Sequence, residues 1–258
     1  MASAALRFEP PGSVRLGAGG AQSLVSLFGL DWSTFLGGSK TEEVYGVASD
    51  ATGAVTVAGI TFSINFPTTA GALEELSGFT TGFITRLSPE GDTLVFSTYL
   101  GGEGTSGSGI TTLAVAPDGR MAVAGVTGSS DHPVTADAVF AIKPSPPGSS
   151  DVFVTVLNAS GDTLIGSTYF GSPGTGQQER VFGMAFAHDE ETITIAGEAR
   201  EQWPTTSGAV QPEYSGISTN GFVTKLSLDA TQLVFSTYLG SVWVDDVHVG
   251  ADGIITAV

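Results

Sequence analysis

Short runs of alternating apolar and polar residues recur along the chain, separated by clusters of glycine, proline and aspartate. Val44–Ser49 and Val55–Thr61 flank Asp50-Ala51-Thr52-Gly53, while Phe83–Leu87 and Leu94–Leu100 flank Ser88-Pro89-Glu90-Gly91-Asp92. Period-two alternation rich in Val, Ile, Thr, Phe and Tyr predicts strands, and the intervening residues predict tight turns. Gly71–Ser77 offers at most one helical turn, too short to be stable alone. The predicted class is all-β.

The same unit is repeated. Trp32-Ser33-Thr34-Phe35-Leu36-Gly37-Gly38 returns as Phe96-Ser97-Thr98-Tyr99-Leu100-Gly101-Gly102, Gly166-Ser167-Thr168-Tyr169-Phe170-Gly171-Ser172 and Phe235-Ser236-Thr237-Tyr238-Leu239-Gly240-Ser241, with the threonines 64, 70 and 69 residues apart. Ala58-Gly59-Ile60-Thr61 returns as Ala124-Gly125-Val126-Thr127 and Ala196-Gly197-Glu198-Ala199. Phe66-Pro67-Thr68-Thr69 matches His132-Pro133-Val134-Thr135 and Trp203-Pro204-Thr205-Thr206. Four strands per unit is the pattern of a β-propeller blade, whose usual repeat is about 40–50 residues. The additional length falls between the second and third strands. The predicted fold is a β-propeller of four-stranded antiparallel blades, at residues 44–100, 110–170 and 181–239, with a partial blade at 242–258.

The succession Ser-Thr-Tyr-Leu-Gly-Gly, Ala-Gly-x-Thr, Phe-Pro-Thr-Thr and Gly-Phe-x-Thr-Lys-Leu resembles the bacterial SBBP family of β-propeller repeats over residues 31–258. The resemblance implies a propeller within a larger secreted or surface-attached bacterial protein. It carries no catalytic residues to this chain.

Residues 1–30 stand apart from the repeats. Ser23–Leu27 and Trp32–Leu36 read as third and fourth strands, able to complete the blade begun by Val242–Val258. The alternative is an open run of blades belonging to a larger ring. Residues 1–22 lack the charged start and apolar core of a secretory signal. The expected location, extracellular or cell surface, therefore rests on the resemblance.

Charge narrows the partners. The formal net charge is −17, with only 14% charged residues, a field that repels phosphate and disfavours nucleic acid. No run of 18 apolar residues predicts a membrane span. The chain has no cysteine, which removes disulfides, thiolate zinc sites and a cysteine nucleophile. No cofactor is expected, calcium alone being left open by the acidic turns, although no Asp-x-Asp-x-Asp-Gly run is present.

Candidate chemistry is sparse. His132 occupies the slot of Phe66 and Trp203 and is expected to pack as an aromatic, whereas His188 falls in a turn facing solvent. His248 lies on an innermost strand beside Asp245 and Asp246. Alternation places Asp246, rather than Asp245, on the face of His248, making Asp246 and His248 the candidate binding residues. The Ser-Thr-Tyr segments recur in every unit and are expected to serve blade packing rather than sugar binding. The expected function is a non-catalytic scaffold or binding module, meeting a protein or glycan partner through the long loops between second and third strands. The alternative is a hydrolase or lyase with its site at the central channel.

Overall fold

The computed structural model describes residues 31–74, 80–102, 107–174, 179–188, 190–216 and 219–258. Among them there is no helix. Three antiparallel sheets of four strands follow one another: β1 (Glu42–Ser49), β2 (Val55–Thr61), β3 (Thr81–Leu87) and β4 (Leu94–Leu100); β5 (Ser108–Val115), β6 (Met121–Thr127), β7 (Asp151–Leu157) and β8 (Leu164–Phe170); β9 (Arg180–Phe186), β10 (Thr192–Ala199), β11 (Asn220–Ser227) and β12 (Leu233–Tyr238). A two-stranded sheet, β13 (Val247–Val249) and β14 (Ile255–Ala257), ends the series. The first strands stack in order, β1 on β5, β5 on β9 and β9 on β13. These are the blades of a β-propeller.

Turn chemistry sets each hairpin. The Asp50 carboxylate accepts the amides of Thr52 and Ala54 at 2.8 and 3.2 Å, an Asx turn that reverses the chain between β1 and β2. Each blade then carries the same irregularity. The register of the first strand slips at Tyr45, Thr111 and Phe182, opposite Gly59, Gly125 and Gly197. A Cβ at any of these glycines would strike the carbonyl oxygen of Glu43, Gly109 or Arg180. The glycine of the repeated Ala-Gly pair is thus required by a β-bulge.

Period-two alternation gives each blade two apolar faces, and wherever two blades meet the facing pair is buried between them. Ala58, Ile84, Phe96 and Leu100 of the first blade pack on Ile110, Met121, Val123, Phe153 and Leu157 of the second. The opposite face of the second blade, with Ala124, Val154 and Phe170, meets Val181, Ile195, Trp203 and Phe222 of the third. Ala196 and Val223 then cover Val244 and Val247 of the last sheet.

Among the described residues, the first blade has no such cover on its outward face. Val44 is 57% exposed where Ile110 and Val181 are fully buried, and Val47 is 70% exposed where Met184 is at 7%. Among the described residues, β13 pairs only with β14. Ser23–Leu27, the expected third strand, lies outside the described residues. Trp32–Leu36 forms no ladder strand, contrary to expectation. Trp32 nevertheless sits against Gly91 as Phe96 sits against Gly161, and its indole donates to the Pro89 carbonyl at 2.9 Å. It therefore occupies the place of a preceding blade's fourth strand, with no ladder partner among the described residues.

Candidate functional site

The repeated motifs bind one another. In the three complete blades the serine of Ser-Thr-Tyr meets a threonine of the third strand (Ser97–Thr85 2.7 Å, Ser167–Thr155 2.8 Å, Ser236–Thr224 2.8 Å). The same serine donates to the proline carbonyl of the long loop at 2.6–2.7 Å (Pro67, Pro133, Pro204). Thr69, Thr135 and Thr206 return a backbone amide to that serine's carbonyl at 3.0 Å. The tyrosine hydroxyls reach carbonyls at the start of the loop: Tyr99 to Ser63, Tyr169 to Ser129 and Tyr238 to Arg200. Burial raises all three phenol pKa values, those of Tyr169 and Tyr238 to about 12. Further along, Glu74, Phe140 and Gln211 accept the amides of Tyr99, Tyr169 and Tyr238. The long loop therefore lies along the outer strand and satisfies an edge that would otherwise pair with another chain. This explains the additional length of the repeat.

His132 is 2% exposed, its ring 4.1 Å from Phe153 and 6.0 Å from Tyr169. It takes the place of Phe66 and Trp203 as a packing aromatic, and burial drives its pKa down to about 4. His188 is exposed.

Asp245, Asp246 and His248 are all exposed. The regular strand begins only at Val247, so the expected alternation between Asp245 and Asp246 fails. Both amides turn to the Val258 carbonyl, at 2.7 and 3.3 Å. The Asp246 carboxylate accepts the following amide of Val247 at 2.8 Å. No hydrogen bond or ion pair joins His248 to Asp246. A shallow depression of about 380 Å³ lies between the second and third blades, lined by Arg120, Ile165, Glu190, Glu191, Ser227, Leu228 and Asp229. Its cation is engaged: Arg120 pairs with Asp118 at 2.6 Å and with Glu190 at 2.8 Å.

A polar cluster that sequence reading missed lies buried at the junction of the same two blades. Asp151 opens β7, and its Oδ2 accepts Lys143 Nζ at 2.7 Å and Ser145 Oγ at 2.6 Å. Lys143 also donates to Ser145 Oγ and the Ser149 carbonyl, at 2.5 and 2.6 Å. Glu179, just before β9, is 3% exposed. Burial raises its pKa, with the Asp151 charge adding to the effect and hydrogen bonding from Ser172 and the backbone opposing it. Asp151 Oδ1 is buried without a partner. Repeat comparison carried a signal. The same slots hold Thr81, Gly102 and Ser108 at the first junction, and Asn220, Ser241 and Val242 at the third. Only the middle junction places two acids there. Among the described residues, no group of three or more His, Asp or Glu has metal-holding geometry.

No family model and no curated protein matches the chain.

Proposed function

We propose that the chain is a non-catalytic propeller scaffold or binding module of a bacterial extracellular or surface protein. The observation that carries this reading is the use made of the repeated side chains. Serine, threonine, tyrosine, glycine and proline of each motif hold a blade together or hold its loop to its edge, as detailed above. What differs between blades is the remainder of each long loop. Among the described residues, large apolar side chains stand free there, Ile142 at 84% and Val210 at 86% exposure foremost. Variable loops on a rigid frame are where recognition concentrates, and the acidic surface favours a neutral or basic protein or a glycan over nucleic acid. Location outside the cell and membership of the SBBP repeats rest on the motif resemblance alone. Among the described residues no helix is long and apolar enough to cross a membrane.

A glycan array probed with the wild type and with an Ile142→Asp/Val210→Asp variant tests the reading. Loop-dependent retention without turnover supports it. Accumulation of cleaved product that disappears in His248→Ala or Asp246→Ala, with folding unchanged, establishes the hydrolase or lyase alternative instead.

A further inference from the structure

We propose that the groove between the second and third blades binds an arginine side chain of a basic protein partner, in the place that Arg86 fills from within the chain at the first junction. This rests on the binding-module reading above and puts one contact outside the variable loops.

The two junctions differ at one slot. At the first, Arg86 Nη1 donates to the carbonyls of Gly119 and Ala159 at 2.9 and 3.1 Å, one from each hairpin turn of the next blade. A buried ion pair with Asp50 holds the guanidinium there. Glu190 and Leu228 stand at the equivalent turn positions of the third blade. The Glu190 amide donates to the Ala187 carbonyl as that of Gly119 does to Ala116, and the Ala230 amide donates to Ser227 as that of Gly161 does to Asn158. Val156 and Ala116 replace Arg86 and Asp50 at the second junction, and valine is too short to cross it. The groove of about 380 Å³ lies at these same two turns, with Glu190 and Leu228 in its lining.

A guanidinium already reads one of the turns. Arg120 Nη1 donates to the Glu190 carbonyl at 3.1 Å, as Arg86 does to Gly119, while the Asp118 and Glu190 carboxylates hold its charge. None of its bonds reaches Leu228. The first turn therefore meets a guanidinium at both junctions, and the second turn meets one only where Arg86 is present. The rest of the groove suits the same group. Ile165 and Leu228 offer apolar surface to a methylene stem. Three carboxylates of the lining, Glu190, Glu191 and Asp229, stand against the single cation Arg120. Asp229 accepts from uncharged donors, the Ser227 hydroxyl at 2.5 Å and the Thr231 hydroxyl and amide at 2.9 and 3.1 Å, which leaves its charge unbalanced. A planar fork of donors can engage a carbonyl and a carboxylate together, whereas an ammonium acts as a point charge.

The test is a nitrogen-15 NMR titration of the whole chain with the peptide acetyl-Gly-Arg-Gly-amide and its lysine and citrulline counterparts. Saturable shifts are expected at the amides of Glu190, Leu228 and Asp229. The citrulline peptide, which keeps the shape and lacks the charge, should bind at least about tenfold more weakly, and the lysine peptide more weakly than arginine. Glu191→Gln with Asp229→Asn should weaken the arginine peptide by about tenfold. Glu90→Gln with Glu213→Gln makes the same change in net charge at exposed positions elsewhere and should leave binding as in the wild type. The loop variant Ile142→Asp/Val210→Asp should keep the groove shifts, so failure of the loops and failure of the groove are read separately. Equal binding of the arginine and citrulline peptides, equal weakening by the two pairs of carboxylate changes, or no saturable shift up to about 10 mM peptide would each overturn the site.

Discussion

Phe96 and Gly161 meet across the first blade junction: a Cβ on Gly161 would lie 2.5 Å from the ring carbons of Phe96. Gly161 has a φ of +75°, in the turn between β7 and β8. At the next junction the sizes are exchanged. Gly166 stands in the strand position of Phe96, Ala230 stands in the turn with a φ of +57°, and the turn backbone moves in against Gly166. The pair is complementary at each junction, so blades fit one another as individuals, not as interchangeable copies.

Gly161→Ala should therefore destabilise by about 2–4 kcal/mol, combining left-handed strain with overpacking. Phe96→Gly alone should cost about 3–5 kcal/mol through the cavity it opens. The double variant recreates the Gly166–Ala230 arrangement and should cost clearly less than the two single losses added. Urea unfolding of the four proteins measures the coupling, and simple additivity would refute the complementarity.

A second junction contact has the same kind of internal control. Arg86 is buried, forms an ion pair with Asp50, and donates to the carbonyls of Gly119 and Ala159 in the next blade at 2.9 and 3.1 Å. The corresponding positions of the second blade hold Val156 and Ala116. Arg86→Val should cost about 3–5 kcal/mol, because it strands a buried aspartate. Arg86→Val with Asp50→Ala installs the pair the second blade already uses and should recover a substantial part of that loss. A double variant no more stable than the single one would show that the guanidinium's bonds to the next blade, rather than the stranded charge, dominate.

His132 makes stability depend on pH. Its folded-state pKa of about 4 lies below the unfolded value of 6.5, so between these values the unfolded chain binds the extra proton. Stability from this residue is fully present above pH 6.5 and falls progressively toward pH 4, by on the order of 3 kcal/mol in total. Glu179 acts in the opposite direction: its raised pKa means that stability is lost as pH rises above the unfolded value. His132→Phe, the residue used at position 66, should flatten the loss between pH 6.5 and 4, even though it gives up the 2.8 Å contact with the Gly101 carbonyl. Denaturation midpoints across that range, compared with wild type, decide the point; an unchanged slope would rule His132 out as its source.

The tyrosine clamp gives a smaller effect. Tyr169→Phe removes a hydroxyl bonded to the carbonyl of Ser129 at 3.1 Å and should cost about 1–2 kcal/mol. The loop edge should loosen with it, read as faster hydrogen exchange at Thr135 and Tyr169. Unaltered exchange at both amides would mean that the backbone bonds alone hold the loop.

Strand identity was legible where turn residues bounded an alternating run: β2 and β4 have the limits their sequences predict. The bulges were not, because Val44 to Ser49 reads as one unbroken strand and only pairing reveals that Tyr45 is extra. The role of the long loop was also hidden. Pro67 and Thr69 meet Ser97 at a separation of about thirty residues, which no local pattern encodes. Trp32–Leu36 has strand composition but no ladder neighbour among the described residues, and composition cannot supply one. The Asp151–Glu179 cluster joins residues from two blades, visible only when slots are compared repeat by repeat. The separation of Asp245 from Asp246 by face assumed a strand that begins only at Val247.

The central claim is that blades stack through their apolar faces and that none of the described residues covers the outward face of the first. One slot tests it directly, since Val44, Ile110 and Val181 are equivalent positions with 57%, 0% and 0% exposure. Aspartate is introduced at each in turn, and the unfolding free energy of the whole chain is measured in urea. Val44→Asp should stay within about 0.5 kcal/mol of wild type, as surface changes do. Ile110→Asp and Val181→Asp should each lose more than about 3 kcal/mol or fail to fold, since each buries an unpaired charge. A loss at Val44 equal to that at Ile110 would contradict the account, because it would mean that the first blade's outward face is covered in solution.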